Sequence, residues 1–426
     1  EVSRIFFITK SFVTGEHSFH KVSIFKTNAK QHRHSRVNFY RQVSPSRKRH
    51  SPNTAGICFL KSLDLAHSPL FHSKYNAMKK LSLIIIAAIA AMQTQAQVVP
   101  HSSFGDKAYT HKNLTLYVIE GEDLAGTQYL TLEEAMRQGK IKLHETGSVN
   151  ELSVDNNSDQ YVFIMACDIV KGGRQDRTMG EDVVLKPGAK RIPLESFCVE
   201  QSRWSGRGSE SVTQFSSSDK MLSDKNIKVA ARAQKDQGAV WTNVSEFQSK
   251  ASANVAKDIR SETSATSLQI ALEDNELQNM VGESLKVVSP AYENTPDAVG
   301  VAVAVNGKIS TVEWFASPAL FGRMRDKLLE SAANEAFSNY DKELGFGVPN
   351  KLAFDSFVLK ALNAPCTGTS ENEAVTEKKF ETGKIVMFQS FNTGVSSEVP
   401  LHIKIYSTDD IAQNPQGRNQ NQHINN

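Results

Sequence analysis

The sequence predicts an α+β fold in which a largely antiparallel β-sheet or sandwich packs with a few long helices. Short strand-like segments separated by turn residues fill residues 113–204, a pattern that is typical of antiparallel sheets. Farther along, apolar residues recur at three- and four-residue spacing in residues 226–251 and after Ser317-Pro318, which indicates helices. Two strand-like segments at 384–391 and 400–406 complete the pattern.

The first half of this region is predicted to be rich in strands. The expected elements are strands at 113–120, 140–145, 149–154, 161–170, 183–185 and 191–194 and a short helix at 132–138. Asn156, Asn157 and Asp159 mark a turn before the long apolar strand. Pro187 followed by Gly188 suits the two central positions of a type II turn, so a turn is expected there.

One helix is expected over about 226–251. Its apolar stripe consists of Val229, Ala233, Val240, Trp241, Val244 and Phe247. Residues 205–224 and 250–268 are rich in Ser, Asp and Lys and are interpreted as exposed loop or insert. Residues 268–287 are mixed in character, and the pattern there does not decide between helix and loop.

A hairpin and a helix are expected after this ambiguous stretch. Residues 299–314 are interpreted as a hairpin that turns at Asn306-Gly307. Ser317 is expected to cap the next helix, and Pro318 suits its first turn. Together with the closing strands, these elements complete the α+β pattern.

Residues 78–96 have the features of a signal peptide. Met78 is followed by Lys79, Lys80 and an apolar run, and small residues precede an expected cut after Ala96. The run is shorter than the roughly 20 apolar residues that a spanning helix needs, so no transmembrane span is expected in the mature chain. The expected product is periplasmic or secreted. Residues 1–77 are interpreted as disordered upstream translated sequence, and residues 413–426 as a disordered polar tail.

The expected folded region is a single domain over 97–412, which can divide into a β-rich subdomain at 97–204 and a mixed one at 226–412. The first 77 residues carry 13 Lys and Arg against 3 Asp and Glu, a net charge of +10. Subtracting this from the chain's +3 leaves −7 for residues 78–426. A folded domain of that charge lacks the basic patch that nucleic-acid binding requires, so no nucleic-acid partner is expected.

Standard metal and cofactor signatures are absent from the sequence. There is no His-Glu-x-x-His, no paired Cys-x-x-Cys and no Gly-x-Ser-x-Gly elbow, so we expect neither a metal nor a cofactor. The expected folded region has three cysteines, Cys167, Cys198 and Cys366. Cys167 and Cys198 fall in strand-like segments, and an oxidising compartment permits a disulfide between them. Two reduced core cysteines fit the sequence equally well.

Three polar clusters interrupt otherwise apolar patterns. Alternation along 161–170 places Asp168 on an apolar face, where a carboxylate needs a partner. The first cluster, Gly172-Gly173-Arg174-Gln175-Asp176-Arg177, follows at once and offers such partners. The second is Cys198-Val199-Glu200-Gln201-Ser202-Arg203-Trp204, and the third is Asp236-Gln237-Gly238-Ala239-Val240-Trp241, in which Gln237 falls on the apolar stripe of the expected helix.

Convergence of these clusters predicts a polar site for a small anionic or sugar-like ligand, because arginine binds carboxylate or phosphate in two-point fashion. The predicted ligand-binding residues are Arg174, Gln175, Arg177, Glu200, Arg203, Trp204, Gln237 and Trp241. One alternative is a hydrolase that uses Asp168 or Glu200 as general acid or base. Another is a structural envelope interaction module, in which Asp168, Arg177, Glu200 and Arg203 form only a buried ion-pair network. Protein partners are not predicted by these residues.

From about residue 113 to residue 406 the chain resembles a bacterial family, the ARG and rhodanese-phosphatase-superfamily-associated protein domain, where ARG stands for ADP-ribosylglycohydrolase. The resemblance is carried by residues 129–135, 149–154, 172–177, 187–188, 198–204, 236–241 and 300–329. The chain departs from the family pattern at Cys167-Asp168, where Gly and Glu are usual, and at Asp176, where Asn is usual. The family name implies an association with ADP-ribose chemistry but no particular reaction.

Overall fold

A computed structural model describes residues 4–14, 17–27, 102–207, 211–293, 295–395 and 398–409. The chain divides into two units, residues 1–93 and 94–426. In the first unit, the described part is an antiparallel hairpin of β1 (Arg4–Thr14) and β2 (His17–Thr27). The expected signal peptide at 78–96 and tail at 413–426 lie outside the described residues, and the interpretation of residues 1–77 stays a prediction.

The second unit contains both helices and strands. Its strands are β3 (Ser102–Phe104), β4 (Tyr109–His111), β5 (Leu114–Gly121), β6 (Tyr129–Thr131), β7 (Ile141–Glu145), β8 (Glu151–Asn156), β9 (Tyr161–Ile164), β10 (Asp168–Gly172), β11 (Arg177–Met179), β12 (Val183–Leu185), β13 (Ile192–Cys198), β14 (Phe215–Met221), β15 (Ala298–Val305), β16 (Lys308–Phe315), β17 (Cys366–Asn372), β18 (Val375–Thr382), β19 (Ile385–Asn392) and β20 (His402–Ser407). Its α-helices are α1 (Leu132–Arg137), α2 (Lys225–Val229), α3 (Gln237–Val255), α4 (Leu268–Leu272), α5 (Asn275–Val288), α6 (Pro318–Ser338) and α7 (Lys351–Leu362). A π-helical turn (Ala230–Gln234) follows α2, and a 3₁₀ turn (Ser289–Tyr292) follows α5.

The described strands of this unit form three sheets. The largest has nine strands in the order β17-β18-β19-β20-β16-β15-β5-β3, with β4 also pairing with β5. A six-stranded sheet has the order β14-β10-β11-β13-β8-β7, and a three-stranded sheet has the order β12-β9-β6. Pairing between the named strands is antiparallel except between β6 and β9. The predicted α+β class with a largely antiparallel sheet is therefore confirmed.

The nine-stranded sheet lies between two helices. Side chains alternate between the two faces of a strand, and β15 shows the consequence. Val301 and Val303 join the apolar cluster that contains α6, whereas Ala302 and Ala304 join the cluster that contains Phe354 of α7. Both faces of this central sheet are therefore covered by apolar side chains from helices.

Two local predictions are confirmed by backbone geometry. The hairpin β15–β16 turns at Asn306 and Gly307, whose φ angles are 52° and 73°. Positive φ at both central residues is the property that a two-residue type I′ turn requires. The Ser317 side chain accepts a hydrogen bond from the Leu320 amide, and α6 begins at Pro318 as expected.

The prediction of one long strand over 161–170 is wrong, because β9 ends at Ile164 and β10 begins at Asp168 in a different sheet. Cys167 has a φ of 75°, which no extended strand has. Tertiary partners bind the backbone at this break. The Ala166 amide donates to Asp182 Oδ1 at 2.8 Å, and the Cys167 amide donates to the Met179 carbonyl at 2.8 Å.

The prediction of one helix over 226–251 is also wrong. The chain leaves α2 through the π-helical turn, and Lys235 takes a left-handed φ of 55°. Asp236 then caps α3, since its Oδ1 accepts from the Ala239 amide at 3.0 Å. Gln237 is consequently the first residue of a new helix and does not lie on a continuous apolar stripe.

Several other elements differ from the sequence interpretation. The predicted loop at 205–224 contains β14, a polar strand at the edge of the six-stranded sheet, where alternating burial is not required. The ambiguous stretch at 268–287 forms α4 and α5, and α3 extends into the predicted loop at 250–268. The sequence interpretation has no counterpart for α7, β17 and β18, whose mixed polar and apolar residues give no clear period.

We expect Gly300→Ala to lower the free energy of unfolding by roughly 1–3 kcal/mol, because the new methyl group overpacks a buried site. A Cβ at this position would overlap the Glu313 carbonyl oxygen and lie 2.6 Å from Trp314 Cβ. The matched control is Gly322→Ala on the exposed side of α6, where a Cβ meets nothing within 4 Å. That variant should gain about 0.5–1 kcal/mol from helix propensity. Urea unfolding of both variants measures the difference, and equal stabilities would contradict the close approach of β15 to β16.

Candidate functional site

The loop after β10 and the segment after β13 lie side by side, because β10, β11 and β13 are neighbours in the six-stranded sheet. Gly172 and Gly173 turn the chain there with φ angles of 100° and 59°. A Cβ on Gly173 would lie 2.7 Å from Glu145 Oε1. Both glycines are therefore required by backbone conformation or by space, and the turn brings the next four residues against the end of β13.

Buried carboxylates and arginine side chains meet at this turn. The carboxylate–guanidinium cluster consists of Glu145, Asp176, Arg177, Glu200, Arg203 and Arg207. Arg207 Nη1 lies 2.9 Å from Asp176 Oδ2, and Arg203 Nε lies 2.6 Å from Glu200 Oε2. Arg203 Nη2 is 3.5 Å from Asp176 Oδ1, so this guanidinium bridges both carboxylates. Two of the three predicted motifs therefore converge through paired charges.

Further groups hold the two buried carboxylates in place. Asp176 Oδ1 accepts from the Gly172 amide at 2.9 Å, and Asp176 Oδ2 accepts from the Ser267 hydroxyl at 3.2 Å. The Ser264 hydroxyl donates to Glu200. Both serines precede α4, in a stretch that the sequence interpretation treats as loop. Buried carboxylates with this many donors are fixed in orientation.

The Arg177 side chain is fully buried but incompletely bonded. Its Nη1 donates to the Gln175 carbonyl at 3.3 Å. Its Nη2 is 3.9 Å from Glu145 Oε2, which is an ion-pair distance but too long for a hydrogen bond. Arg177 Nε and Nη2 and Glu145 Oε2 have no hydrogen-bond partner among the described residues. Buried donors without acceptors are rare and point to a missing partner.

Trp204 and Arg174 form the half-exposed side of this cluster. The Arg174 guanidinium carbon lies 5.1 Å from the Trp204 ring centre, and the Arg177 guanidinium carbon lies 5.6 Å from it. These are cation–π distances. The Arg174 side chain forms no ion pair with any residue that the structure describes. An indole and a cation without a carboxylate partner therefore face the region where solvent can enter.

Gln175 and Gln237 brace the end of β13. Gln237 Nε2 donates to the Cys198 carbonyl and Gln237 Oε1 accepts from the Cys198 amide, both at 2.8 Å. Gln175 Nε2 donates to the Glu200 carbonyl at 2.7 Å. Gln175 Oε1 accepts from the Cys198 thiol at 2.9 Å. Both glutamine side chains therefore bind protein groups, and they hold the end of β13 in place.

Cys198 and Cys167 are buried free thiols, and Trp241 lies apart from the cluster. Burial raises the pKa of Cys198 to about 11, so this buried free cysteine is a thiol and a poor nucleophile. Cys167 is likewise a buried free thiol. Trp241 is half-buried, and no hydrogen bond or ring contact of the described residues joins it to the carboxylate–guanidinium cluster. The structure brings together the other seven predicted ligand-binding residues, although Gln237 reaches the cluster only through β13.

The expectation that Asp168 pairs with the first motif is wrong. Its carboxylate lies 3.2 Å from Lys327 Nζ on α6, and Lys327 also lies 3.4 Å from Glu133. Burial raises the pKa of Asp168 above its ordinary value. The cause of the error is the break at Cys167, which turns Asp168 away from the face that alternation predicts. Asp168 and Glu200 therefore lie in separate ion-pair groups.

A second group of buried charges was not predicted from the sequence. The His402 network consists of Asp182, Arg232, Glu313, Glu377, His402 and Lys404. His402 Nδ1 lies 2.7 Å from Asp182 Oδ2, and His402 Nε2 lies 3.0 Å from Glu313 Oε1. Arg232 Nη2 lies 2.7 Å from Asp182 and 2.6 Å from Glu377. Lys404 pairs with Glu313.

The surroundings of His402 favour the imidazolium form, because each ring nitrogen has a carboxylate oxygen as its partner. Burial alone would lower the pKa of His402, but Asp182 and Glu313 raise it above 6.5. For the Glu313 carboxyl, burial alone would raise the pKa, but Lys404 and His402 lower it to about 2. With His402 protonated, three cations balance three carboxylates, which is the condition for burying such charges at acceptable cost.

The sequence contains one signal for this second group. His402 and Lys404 are two residues apart on a strand, so they point to the same face of an otherwise apolar segment. Their partners come from positions far apart in the chain, and no spacing rule connects them. Within the described ranges, no three or more His, Cys, Asp or Glu side chains are arranged so that they could hold a metal ion. In the same ranges, none of the helices combines the length and apolar character that crossing a bilayer demands.

Comparison with known proteins gives one match. A family model described as "ARG and Rhodanese-Phosphatase-superfamily-associated Protein domain" matches residues 104–397. Searches of curated proteins and of solved structures give no significant match. The matched segment includes the whole carboxylate–guanidinium cluster and ends before β20.

We expect His402 to make stability depend on pH. The folded state keeps a proton that the unfolded state releases above pH 6.5. This contribution is therefore complete below pH 6.5 and is lost as the pH rises through the folded-state pKa, by up to about 1.4 kcal/mol per pH unit. Urea unfolding of the wild type and of His402→Gln, from pH 6 to pH 9, measures the difference.

The control for this experiment is His111→Gln. Burial lowers the pKa of His111, so its contribution has the opposite sign and weakens as the pH falls. His111→Gln should keep the loss of stability at high pH. If His402→Gln does not fold, an NMR titration of the His402 ring in the wild type replaces it. A folded-state pKa of His402 at or below 6.5 would contradict the charge assignment.

Proposed function

This chain belongs to the ARG and rhodanese-phosphatase-superfamily-associated protein domain family, and we propose that it binds a small anionic or sugar-like ligand beside Arg174, Arg177 and Trp204. The proposal includes export: removal of a signal peptide at 78–96 delivers the protein to the periplasm or the exterior. The family description names associated domains and no reaction, so the ligand class is argued from side chains alone.

The observation that carries this proposal is the unsatisfied hydrogen-bonding capacity of Arg177. Two of its buried N–H positions, Nε and Nη2, lack acceptors among the described residues. Leaving such donors unpaired costs about 1–3 kcal/mol each. A ligand oxygen, from a carboxylate, a phosphate or a sugar hydroxyl, satisfies them and accounts for an arginine in this place. The Trp204 ring offers an apolar face beside the same group.

Charge supports an anion over a cation. Three carboxylates, those of Glu145, Asp176 and Glu200, face four guanidiniums, those of Arg177, Arg203, Arg207 and Arg174. These seven side chains therefore have a net charge of +1, whereas residues 78–426 as a whole have a formal net charge of −7. Local positive charge on a negative protein attracts an anion to this position. Compounds related to ADP-ribose combine phosphates with sugar hydroxyls and belong to the proposed class.

Hydrolysis has less support than binding. The two candidate acids, Asp168 and Glu200, belong to separate ion-pair groups, so they do not form one acid–base pair. Glu200 is fully buried, and its oxygens contact Arg203, Ser264 and Arg207. The Cys198 thiol is protonated and bonded to Gln175. The arrangement suits recognition of a ligand more than proton transfer to it.

We expect Arg174→Ala to weaken ligand binding about tenfold while leaving the fold intact, because a charge-assisted contact of about 1.5 kcal/mol is removed from a half-exposed residue. Thermal shift with a metabolite library that includes ADP-ribose and sugar phosphates identifies the ligand. Titration of that ligand into each variant then gives the affinity. Arg137→Ala is the matched control, because Arg137 is an exposed arginine on α1. Arg177→Ala is less informative, since it also leaves Glu145 buried without a cation.

The outcomes distinguish three hypotheses: ligand binding, hydrolysis and a structural interaction module. Stabilisation without turnover, reduced in Arg174→Ala but not in Arg137→Ala, supports binding. Turnover that disappears in Glu200→Gln or Asp168→Asn supports the hydrolase. If no compound stabilises the protein and Arg203→Ala only lowers the unfolding temperature, the cluster is structural and the interaction-module interpretation is favoured.

A further inference from the structure

A groove beside α7 is separate from the carboxylate–guanidinium cluster. It has a volume of about 820 Å³ and lies between α7, the β15–β16 turn, the β18–β19 turn and the end of β20. Small-molecule sites usually have volumes of about 300–1,000 Å³, so the groove has a suitable size. None of its lining residues belongs to the proposed Arg174 site.

One wall of this α7 groove is apolar. Ile309, Phe357, Leu359 and Ile385 line it. α7 turns Phe354 and Ala361 into the core beneath the sheet, so Leu359 lies on another face of the helix. Its side chain remains 61% exposed. Apolar surface left in water at the edge of a concave site favours a partner with an apolar body.

The rim of the α7 groove is cationic. Lys308, Lys360 and Lys384 line it together with one carboxylate, Asp409, which lies 3.4 Å from Lys384. The lining residues therefore have a net charge of +2. Lys360 forms no ion pair with another residue in the part of the chain that the structure describes. Residues 78–426 have a formal net charge of −7, so the charge of the groove is opposite in sign to that of the chain around it.

We propose that the α7 groove binds a small amphipathic carboxylate, with its alkyl or aryl body against Ile309, Phe357 and Leu359 and its carboxylate at Lys360 and Lys384. Lysine is a flexible point charge with no preference for two-point geometry. The rim therefore selects an anionic head by charge, and the wall selects an apolar body. This site is independent of the function proposed above, since it shares no residue with it.

The test uses decanoate as the probe, at concentrations below micelle formation, with the full chain in isothermal titration calorimetry. We expect one saturable site. Lys360→Glu should weaken decanoate binding about tenfold, because it reverses a rim charge. Leu359→Ser should weaken it by a similar factor, because it removes exposed apolar surface that the probe covers. Both residues are exposed, so both variants are expected to fold, and thermal unfolding checks this.

Three controls define the result. Lys286→Glu reverses an exposed lysine on α5 and should leave decanoate binding unchanged, as should Arg174→Ala in the proposed ligand site. Decyltrimethylammonium, which has the same apolar chain and a cationic head, should not bind. Equal binding of both amphiphiles, or decanoate binding that Lys360→Glu and Leu359→Ser do not alter, overturns the proposal. Binding to anionic phospholipid vesicles without binding to decanoate also overturns it, in favour of a membrane-surface contact.

Discussion

The His402 network constrains much of the surrounding structure, because buried charges must be paired by groups whose positions leave little freedom. His402 and Lys404 come from β20, Glu313 from β16 and Glu377 from β18. Asp182 precedes β12, and Arg232 lies in the π-helical turn. Removing one partner from such a group leaves an uncompensated charge, which costs several kcal/mol. The network therefore fixes how the nine-stranded sheet meets the segments that carry Asp182 and Arg232.

The irregular elements of the fold lie at this constraint. The break between β9 and β10 lets the Ala166 amide donate a hydrogen bond to Asp182 Oδ1. The other oxygen of this carboxylate, Oδ2, binds His402 and Arg232. The π-helical turn contains Arg232, and the guanidinium carbon lies 4.5 Å from the Phe388 ring centre. π-Helical turns are rare, and those inside α-helices are frequently found at functional sites. The departures from regular strand and helix thus serve the pairing of buried charges.

The two charged groups differ in their access to solvent. In the His402 network, the carboxylates and the histidine nitrogens bind each other closely, with Ser390 donating to Asp182 at 2.6 Å. In the carboxylate–guanidinium cluster, Arg177 Nε and Nη2 remain without acceptors, and Arg174 and Trp204 stand at the half-exposed side. The His402 network also leaves one buried donor, Arg232 Nε, without an acceptor among the described residues, but all six of its members are buried. This difference in exposure is the reason for proposing the carboxylate–guanidinium cluster as the ligand site.

Local sequence patterns were sufficient for the α+β class, the Asn306-Gly307 hairpin and the Ser317 cap, because each depends on neighbours a few residues apart. They also located the first two polar motifs, since glycine pairs and arginines within apolar segments are visible without knowledge of the fold. The break at Cys167, the left-handed Lys235 and the pairing of Asp168 with Lys327 were decided only by tertiary structure. At Cys167 and Asp168, the distant groups Asp182 and Lys327 determined the local arrangement, because a buried charge or amide must find a partner wherever the folded chain provides one.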